Sequence, residues 1–180
     1  MSKKVLILSS SLRSGSNSEH LAKECEKGAL AAGHDVEFIS LKGKNIRFCI
    51  GCLVCQSGRP CVLQDDMAEI MEKVKSAEVV VFATPIYYYE MSGQLKTLLD
   101  RLNPLYPTVY GFRDIYMIAT AAEDGDYVFE KAYNGLQGWV ECFANAKLKG
   151  IVTGGGIGDA NDAGNHLQIL EKAYELGRGL

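Results

Sequence analysis

Two stretches of this sequence bring together side chains that could do chemistry. In the first, Cys49-x2-Cys52-x2-Cys55-x5-Cys61 places four of the six cysteines in one thirteen-residue loop. Four thiolates at such close spacing can wrap a compact [4Fe–4S] cube. They can also hold zinc, although paired knuckles for that metal are usually farther apart. A third reading has no metal, with thiols that pack or form a disulfide on oxidation. In the second stretch, the apolar residues Val5 to Leu8 run straight into Ser9-Ser10-Ser11-Leu12-Arg13-Ser14-Gly15-Ser16-Asn17-Ser18. If a helix begins near Asn17 or Ser18, its free N–H groups and dipole can hold a phosphate. The hydroxyls of Ser11, Ser16 and Ser18 and the guanidinium of Arg13 would add to that cradle. The plainer alternative is a polar strand-to-helix turn with a solvated arginine.

These stretches need a scaffold, and the hydrophobic pattern supplies one. Short apolar runs at Val5–Leu8, Asp35–Leu41, Glu78–Thr84, Ile115–Ala121 and Leu148–Thr153 read as strands. Val79 to Ala83 is the most apolar run and belongs mid-sheet, whereas Asp35–Leu41 alternates and suits an edge. Helical spacing occupies Ser18–Ala32, about Asp65–Lys75, Gly93–Leu102, Tyr127–Phe143 and Asp162–Leu176. Alternating strands and helices predict an α/β fold over residues 1–180 as a single domain. The sheet is doubly wound and parallel, with five strands in the order 2-1-3-4-5 and helices on both faces. Ligands in such sheets bind beyond the carboxyl ends of the strands, at the switch point between strands 1 and 3. That rule selects Ser9–Ser18, Pro85–Ser92 and Thr120–Asp126. Lys42–Leu63 is a long loop carrying the clustered cysteines.

Composition narrows the classes. At 47% hydrophobic residues and a net charge of −3, the chain shows neither a nucleic-acid surface nor a membrane patch. No apolar run approaches the roughly 18 residues of a membrane span, and the four-residue run at Val5–Leu8 makes a poor signal peptide. A cytoplasmic protein is expected, with no nucleic-acid and no membrane partner. The acidic residues that a metal-dependent receiver needs after strand 1 are replaced by Ser9, Ser10 and Ser11. No G-x-x-x-x-G-K-[ST] occurs. The run Gly154-Gly155-Gly156-Ile157-Gly158 follows the last strand and reads as a flexible turn. His20, His34 and His166 read as surface or packing residues, and Cys25 and Cys142 as buried helix residues.

The segment Ser10–Ser18 resembles the G-S-x-R-x-x-x-N-[ST] phosphate loop of the NADPH-dependent FMN reductase family. It departs from it at Ser10, where glycine is usual. The segment Pro85-Ile86-Tyr87-Tyr88-Tyr89-Glu90-Met91-Ser92-Gly93-Gln94-Leu95-Lys96, followed by Asp100-Arg101, is similar to the family's P-x-Y-x-x-x-x-S-x-x-L-K…D-R segment. The cysteine stretch resembles that of the iron–sulfur flavoproteins within it. The resemblance implies a flavodoxin-like fold and FMN as cofactor. It puts the FMN phosphate on Ser11, Arg13, Ser16, Asn17 and Ser18, and the isoalloxazine against Pro85, Ile86, Tyr87 and Tyr88. Thr120, Ala121, Ala122 and Glu123 would close the other side. If the tyrosine loop is extended, Tyr87 and Tyr89 point away from Tyr88. The flavin N5 would carry the hydride chemistry, so no catalytic side chain is needed. NAD(P)H would be the reductant, with NADH and NADPH both open. The substrate would be a small electron acceptor such as a quinone, flavin, nitro or azo compound. Cys49, Cys52, Cys55 and Cys61 are the candidate [4Fe–4S] ligands. An electron carrier serving protein partners is the alternative function. A homodimer or homotetramer is implied, with Tyr106–Phe112 as a candidate contact.

Overall fold

The computed structural model describes residues 1–180. Its strands are β1 (Lys4–Ser9), β2 (Asp35–Ser40), β3 (Val79–Tyr87), β4 (Glu90–Met91), β5 (Asp114–Thr120) and β6 (Lys147–Gly154). Five of them form a parallel sheet in the order β2-β1-β3-β5-β6, and β4 pairs antiparallel with the end of β3. With β4 set aside, this is the order expected for a doubly wound sheet, with β2 at the edge and β3 at the centre.

The helices are α1 (Asn17–Ala31), α2 (Met67–Ser76), α3 (Gly93–Arg101), α4 (Glu130–Val140) and α5 (Leu167–Arg178). Successive side chains of a strand face opposite ways, and β1 shows how that builds two cores. Val5 and Ile7 pack with Leu21, Ala22 and Cys25 of α1 and Ala173 of α5. Leu6 and Leu8 pack with Ile70, Val74, Leu95 and Leu98 on the α2–α3 side. The two helices on the first face touch at bare backbone. A Cβ on Gly28 would lie 2.0 Å from the Tyr174 carbonyl, and one on Gly177 would lie 2.0 Å from the Cys25 carbonyl.

Four local expectations change. The tyrosine stretch is a hairpin rather than an extended loop, because β3 runs on to Tyr87 and turns back into β4. Pro85 is tolerated inside β3 because β1 pairs only as far as Ala83, leaving the β1 side of the strand open beyond that residue. The helix expected from Tyr127 begins as a 3-10 turn at Asp126–Val128 and becomes α-helical only over Glu130–Val140. Beyond that end, Cys142 is exposed rather than buried. Nor is Tyr106–Phe112 an open aromatic segment: Tyr106 is exposed, but Phe112 is fully buried and stacks on Tyr110 and Trp139.

Candidate functional site

The carboxyl ends of β1, β3 and β5 lie side by side, with Ser9 opposite Ala83 and Pro85 opposite Thr120. That register brings the three loops selected by the sequence to one rim. The first loop closes on α1. Ser16 is its N-cap, its Oγ accepting the Glu19 N–H at 3.3 Å and lying 3.2 Å from the Ser18 Oγ. The N–H groups of Asn17 and Ser18 have no acceptor in the protein, as expected of a first helical turn. Ser11, Ser16 and Ser18 are buried. Gly15 has φ +68°, and a Cβ there would meet the Asn161 side chain at 2.6 Å.

Asn17 and Arg13 are already occupied, by a segment the sequence did not connect to this site. The Asn17 Nδ2 donates to the carbonyls of Ile157 (3.0 Å) and Asp159 (2.8 Å), and its Oδ1 accepts the Ala163 N–H at 3.0 Å. The exposed Arg13 donates to the Gly158 carbonyl at 2.7 Å, and the Asn161 N–H to the Gly15 carbonyl at 2.8 Å. The β6–α5 connection, 155–166, is thus a strap over the first loop. Its glycines are more than a flexible turn. A Cβ at Gly155 would meet the Asp124 carboxylate at 2.5 Å, and the Ile157 N–H donates to the Ala121 carbonyl at 3.0 Å. Asn17 therefore contributes its backbone N–H to the cradle and its side chain to the strap. Lys42, just after β2, also reaches the loop, donating to the Ser14 Oγ at 2.8 Å. It lies outside the Ser10–Ser18 stretch, and only the chain's return at β2 brings it there.

Ser10 explains its own departure from glycine. Its Oγ donates to the Ala83 carbonyl at 3.0 Å and lies 2.9 Å from the Ser92 Oγ, which in turn accepts the Leu95 N–H to cap α3. One buried hydroxyl pair joins the first loop to the base of the tyrosine hairpin. Thr84 completes that base: its Oγ1 accepts the Ser92 N–H at 3.0 Å.

The hairpin turns at Tyr88 and Tyr89, with φ +52° and +67°. Two successive positive φ values are those of a type I′ turn, where Asn-Gly is preferred and bulky residues are strained. The third loop holds the turn in place. Glu123 accepts the Tyr89 hydroxyl at 3.1 Å and also the Tyr127 hydroxyl. Both phenols are held above their ordinary pKa, first by these bonds to the carboxylate. Between hairpin and third loop opens a cleft of about 260 Å³, lined by Ile86, Tyr88, Tyr89, Ala121, Ala122, Glu123 and Val128. Thr120 is buried at the end of β5, and Tyr87 and Tyr88 are exposed.

The cysteine loop is fixed at its stem. Asp65 accepts two parallel hydrogen bonds from Arg101, 2.6 Å from Nη1 and 2.9 Å from Nη2, with both side chains essentially buried. The Arg101 Nη1 also donates to the Arg47 carbonyl at 2.8 Å. Asp65 accepts the Arg47 N–H, Asp66 accepts the Asn45 N–H, and the Arg47 guanidinium donates to the Gln64 carbonyl. Burial alone would raise the Asp65 carboxyl, but Arg101 and the N–H groups of Arg47 and Met67 outweigh it and hold it at about 2. Within the loop the thiols diverge. Cys49 and Cys52 are exposed, Cys55 accepts from the Asn103 Nδ2 at 3.3 Å, and Cys61 lies 3.7 Å from the Arg101 Nη2. No three Cys, His, Asp or Glu side chains stand close enough together to hold a metal ion.

Residues 3–126 match the family model of the NADPH-dependent FMN reductases, which covers more than half of the chain. The chain belongs to that family. Within the family, it is 30% identical to YwqN of Bacillus subtilis over 96% of both chains; that protein is named as a candidate NAD(P)H-dependent FMN-containing oxidoreductase. An iron–sulfur flavoprotein of Methanocaldococcus jannaschii is 38% identical over 57% of this chain, and the match spans about half (53%) of that relative's length. A solved NAD(P)H:quinone oxidoreductase from Methanothermobacter marburgensis superposes with TM-score 0.76 at 21% identity, over 99% of this chain and 96% of that one. The last comparison establishes the flavodoxin-like fold.

The cofactor of an FMN reductase fits the donors at this rim. Two free helix N–H groups, three buried hydroxyls and the Arg13 guanidinium surround the start of α1, which suits a phosphate. The neighbouring cleft has the apolar and aromatic lining of a ring site. The four thiols of the cysteine loop are the residues that would hold a [4Fe–4S] cluster; in this structure Cys55 and Cys61 face Asn103 and Arg101, and Cys49 and Cys52 are exposed. Cys25 is inert: burial, with Glu26 adding to it, pushes its thiol up to about 12.

Proposed function

We propose that this FMN reductase family member is an FMN-dependent NAD(P)H oxidoreductase of small electron acceptors, working in the cytoplasm as a homo-oligomer over one FMN-binding unit, residues 1–180. The observation that carries the reading is the junction of cradle and cleft on adjacent strands, tied together by the Ser10–Ser92 hydroxyl pair. The first loop would hold the phosphate through the Asn17 and Ser18 N–H groups, the hydroxyls of Ser11, Ser16 and Ser18, and Arg13. Pro85, Ile86, Tyr87 and Tyr88 would hold one side of the ring, and Thr120, Ala121, Ala122 and Glu123 the other. Bound FMN supplies hydride acceptance and donation, and the protein's part is to place and shield the ring. A quinone or azo acceptor suits the cleft's aromatic rim, in keeping with the quinone oxidoreductase and azoreductase names of fold neighbours.

Anaerobic stopped-flow mixing of the FMN-loaded protein with NADH or NADPH tests this. Bleaching of the flavin absorbance, followed by recovery on adding a quinone, is expected. Failure of both nucleotides to reduce the flavin would instead favour an electron carrier reduced by a protein partner. Arg13→Ala is expected to weaken FMN binding about tenfold, by loss of one exposed charge-assisted contact, as read by fluorescence titration.

A further inference from the structure

Only one charged side chain lines the cleft beside the tyrosine hairpin, that of Glu123. It is exposed, so bonds rather than packing fix it. One carboxylate oxygen accepts the Tyr89 hydroxyl at 3.1 Å, and the other accepts the Tyr127 hydroxyl. Both phenols rise above their ordinary pKa, first because of these bonds. Held from two sides, the carboxylate cannot swing away from the cleft. Its charge also goes uncompensated. Glu90 on the hairpin and Asp124 and Asp126 on the third loop add three more carboxylates, and neither they nor Glu123 enter an ion pair. Lys131 reaches this side, but its Nζ lies over the Tyr89 ring, 5.4 Å from the centroid, rather than on a carboxylate. The first loop has the opposite sign: Arg13 and Lys42 bond to the Gly158 carbonyl and the Ser14 hydroxyl. The rim is thus divided, with cations where a phosphate would lie and carboxylates where a ring would lie.

We infer that Glu123 lowers the reduction potential of a flavin bound in this cleft, which makes the reduced cofactor a stronger reductant toward its acceptor. The inference rests on FMN as the cofactor of this site. Hydride transfer from NAD(P)H brings two electrons and one proton to a neutral ring and leaves one negative charge on it, while the nicotinamide departs oxidised. A fixed carboxylate beside the ring repels that added charge and has no such effect on the neutral oxidised ring. The reduced state is the one destabilised, so the potential falls. The acceptor then takes the same two electrons, and what Glu123 withholds in the first half-reaction it returns in the second.

The midpoint potential of the FMN-loaded protein is measured at neutral pH by equilibration with a reference dye during slow reduction. Glu123→Gln removes the charge and keeps an oxygen that can accept a phenol. It is expected to raise the potential by about 30 mV, a tenfold shift in the two-electron equilibrium. Tyr127→Phe removes one of the bonds and keeps the charge, and is expected to move the potential far less. No rise in Glu123→Gln, or an equal rise in Tyr127→Phe, overturns the inference. Salt screens exposed charges, so the gap between the parent protein and Glu123→Gln should narrow in about 0.5 M potassium chloride. A gap that does not narrow reflects altered structure and overturns the inference too. If Glu123→Gln takes up no FMN, the parent protein decides alone: its potential must rise with added salt, and a flat or falling potential counts against Glu123. A parent chain that takes up no FMN fails the cofactor assignment instead, before any potential is read.

Discussion

The first loop and the cysteine loop both follow a strand and both lie at the same end of the sheet, but they are held in different ways. The first loop is fastened along its length: Ser10 to the hairpin, Gly15, Arg13 and Asn17 to the strap, and Ser16 to α1. The cysteine loop is fastened mainly where it begins and ends, by Asp65, Asp66, Arg47 and Arg101; midway only Cys55 and Gln56 reach Asn103, and Phe48, Ile50 and Leu53 are exposed. A loop fixed everywhere presents one set of donors to one ligand. The first arrangement suits a bound cofactor, and the second leaves the middle of the cysteine loop lightly held.

The largest expected effect comes from breaking the stem. Arg101→Leu strips the partner from a buried Asp65, and removing one member of a buried pair costs about 3–5 kcal/mol. Urea denaturation would read this as a lower midpoint at unchanged slope. Acid reaches the same pair without mutation. The Asp65 carboxyl is held at about 2 in the folded chain against an ordinary 3.8. A depressed folded-state pKa stabilises above the unfolded value and loses that contribution as pH falls. About 2 kcal/mol should therefore be intact above pH 4 and gone near pH 2, and Asp65→Asn should remove that part of the acid dependence.

The strap is the next largest. Asn17→Ala deletes two donors and one acceptor that bind Ile157, Asp159 and Ala163. At about 1 kcal/mol for each net hydrogen bond, a loss of about 2–3 kcal/mol is expected. Hydrogen exchange should quicken at Asn161 and Ala163, while the α2–α3 core keeps its protection. A chain in which Asn17 touched only phosphate would show no such change without ligand.

Much of this was legible in the sequence because it is written in local patterns. The parallel order follows from alternation, and the three rim loops follow from that order. Two readings were out of reach for a shared reason. The partners of Asn17 lie 140 to 146 positions away, and those of Arg101 lie 36 to 54 away, so their roles exist only once the strap after β6 and the cysteine loop have folded back. Arg101 could be recognised as part of a motif, but its task of clamping Arg47, Cys61 and Asp65 could not. The hairpin was missed for a different reason: Tyr88-Tyr89 carries none of the Asn-Gly chemistry that announces a type I′ turn. Tertiary bonds, not local preference, hold that turn.

That last point gives the smallest prediction, one of opposite sign. The two tyrosines with positive φ cost free energy that the Tyr89–Glu123–Tyr127 bonds offset. Tyr88 has no such compensation, because its side chain is 98% exposed and makes no hydrogen bond within the protein. Tyr88→Asn should relieve the strain at one position and stabilise the chain by about 0.5–1 kcal/mol, since asparagine tolerates this backbone better. In the loaded enzyme the same change should raise KM for an aromatic acceptor more than it lowers kcat, because it removes a ring from the rim of the cleft and leaves the backbone in place. A destabilised Tyr88→Asn would mean that the turn is not strained there. An unchanged KM would mean that the exposed ring serves no ligand. The two measurements separate the cost of this turn from its use.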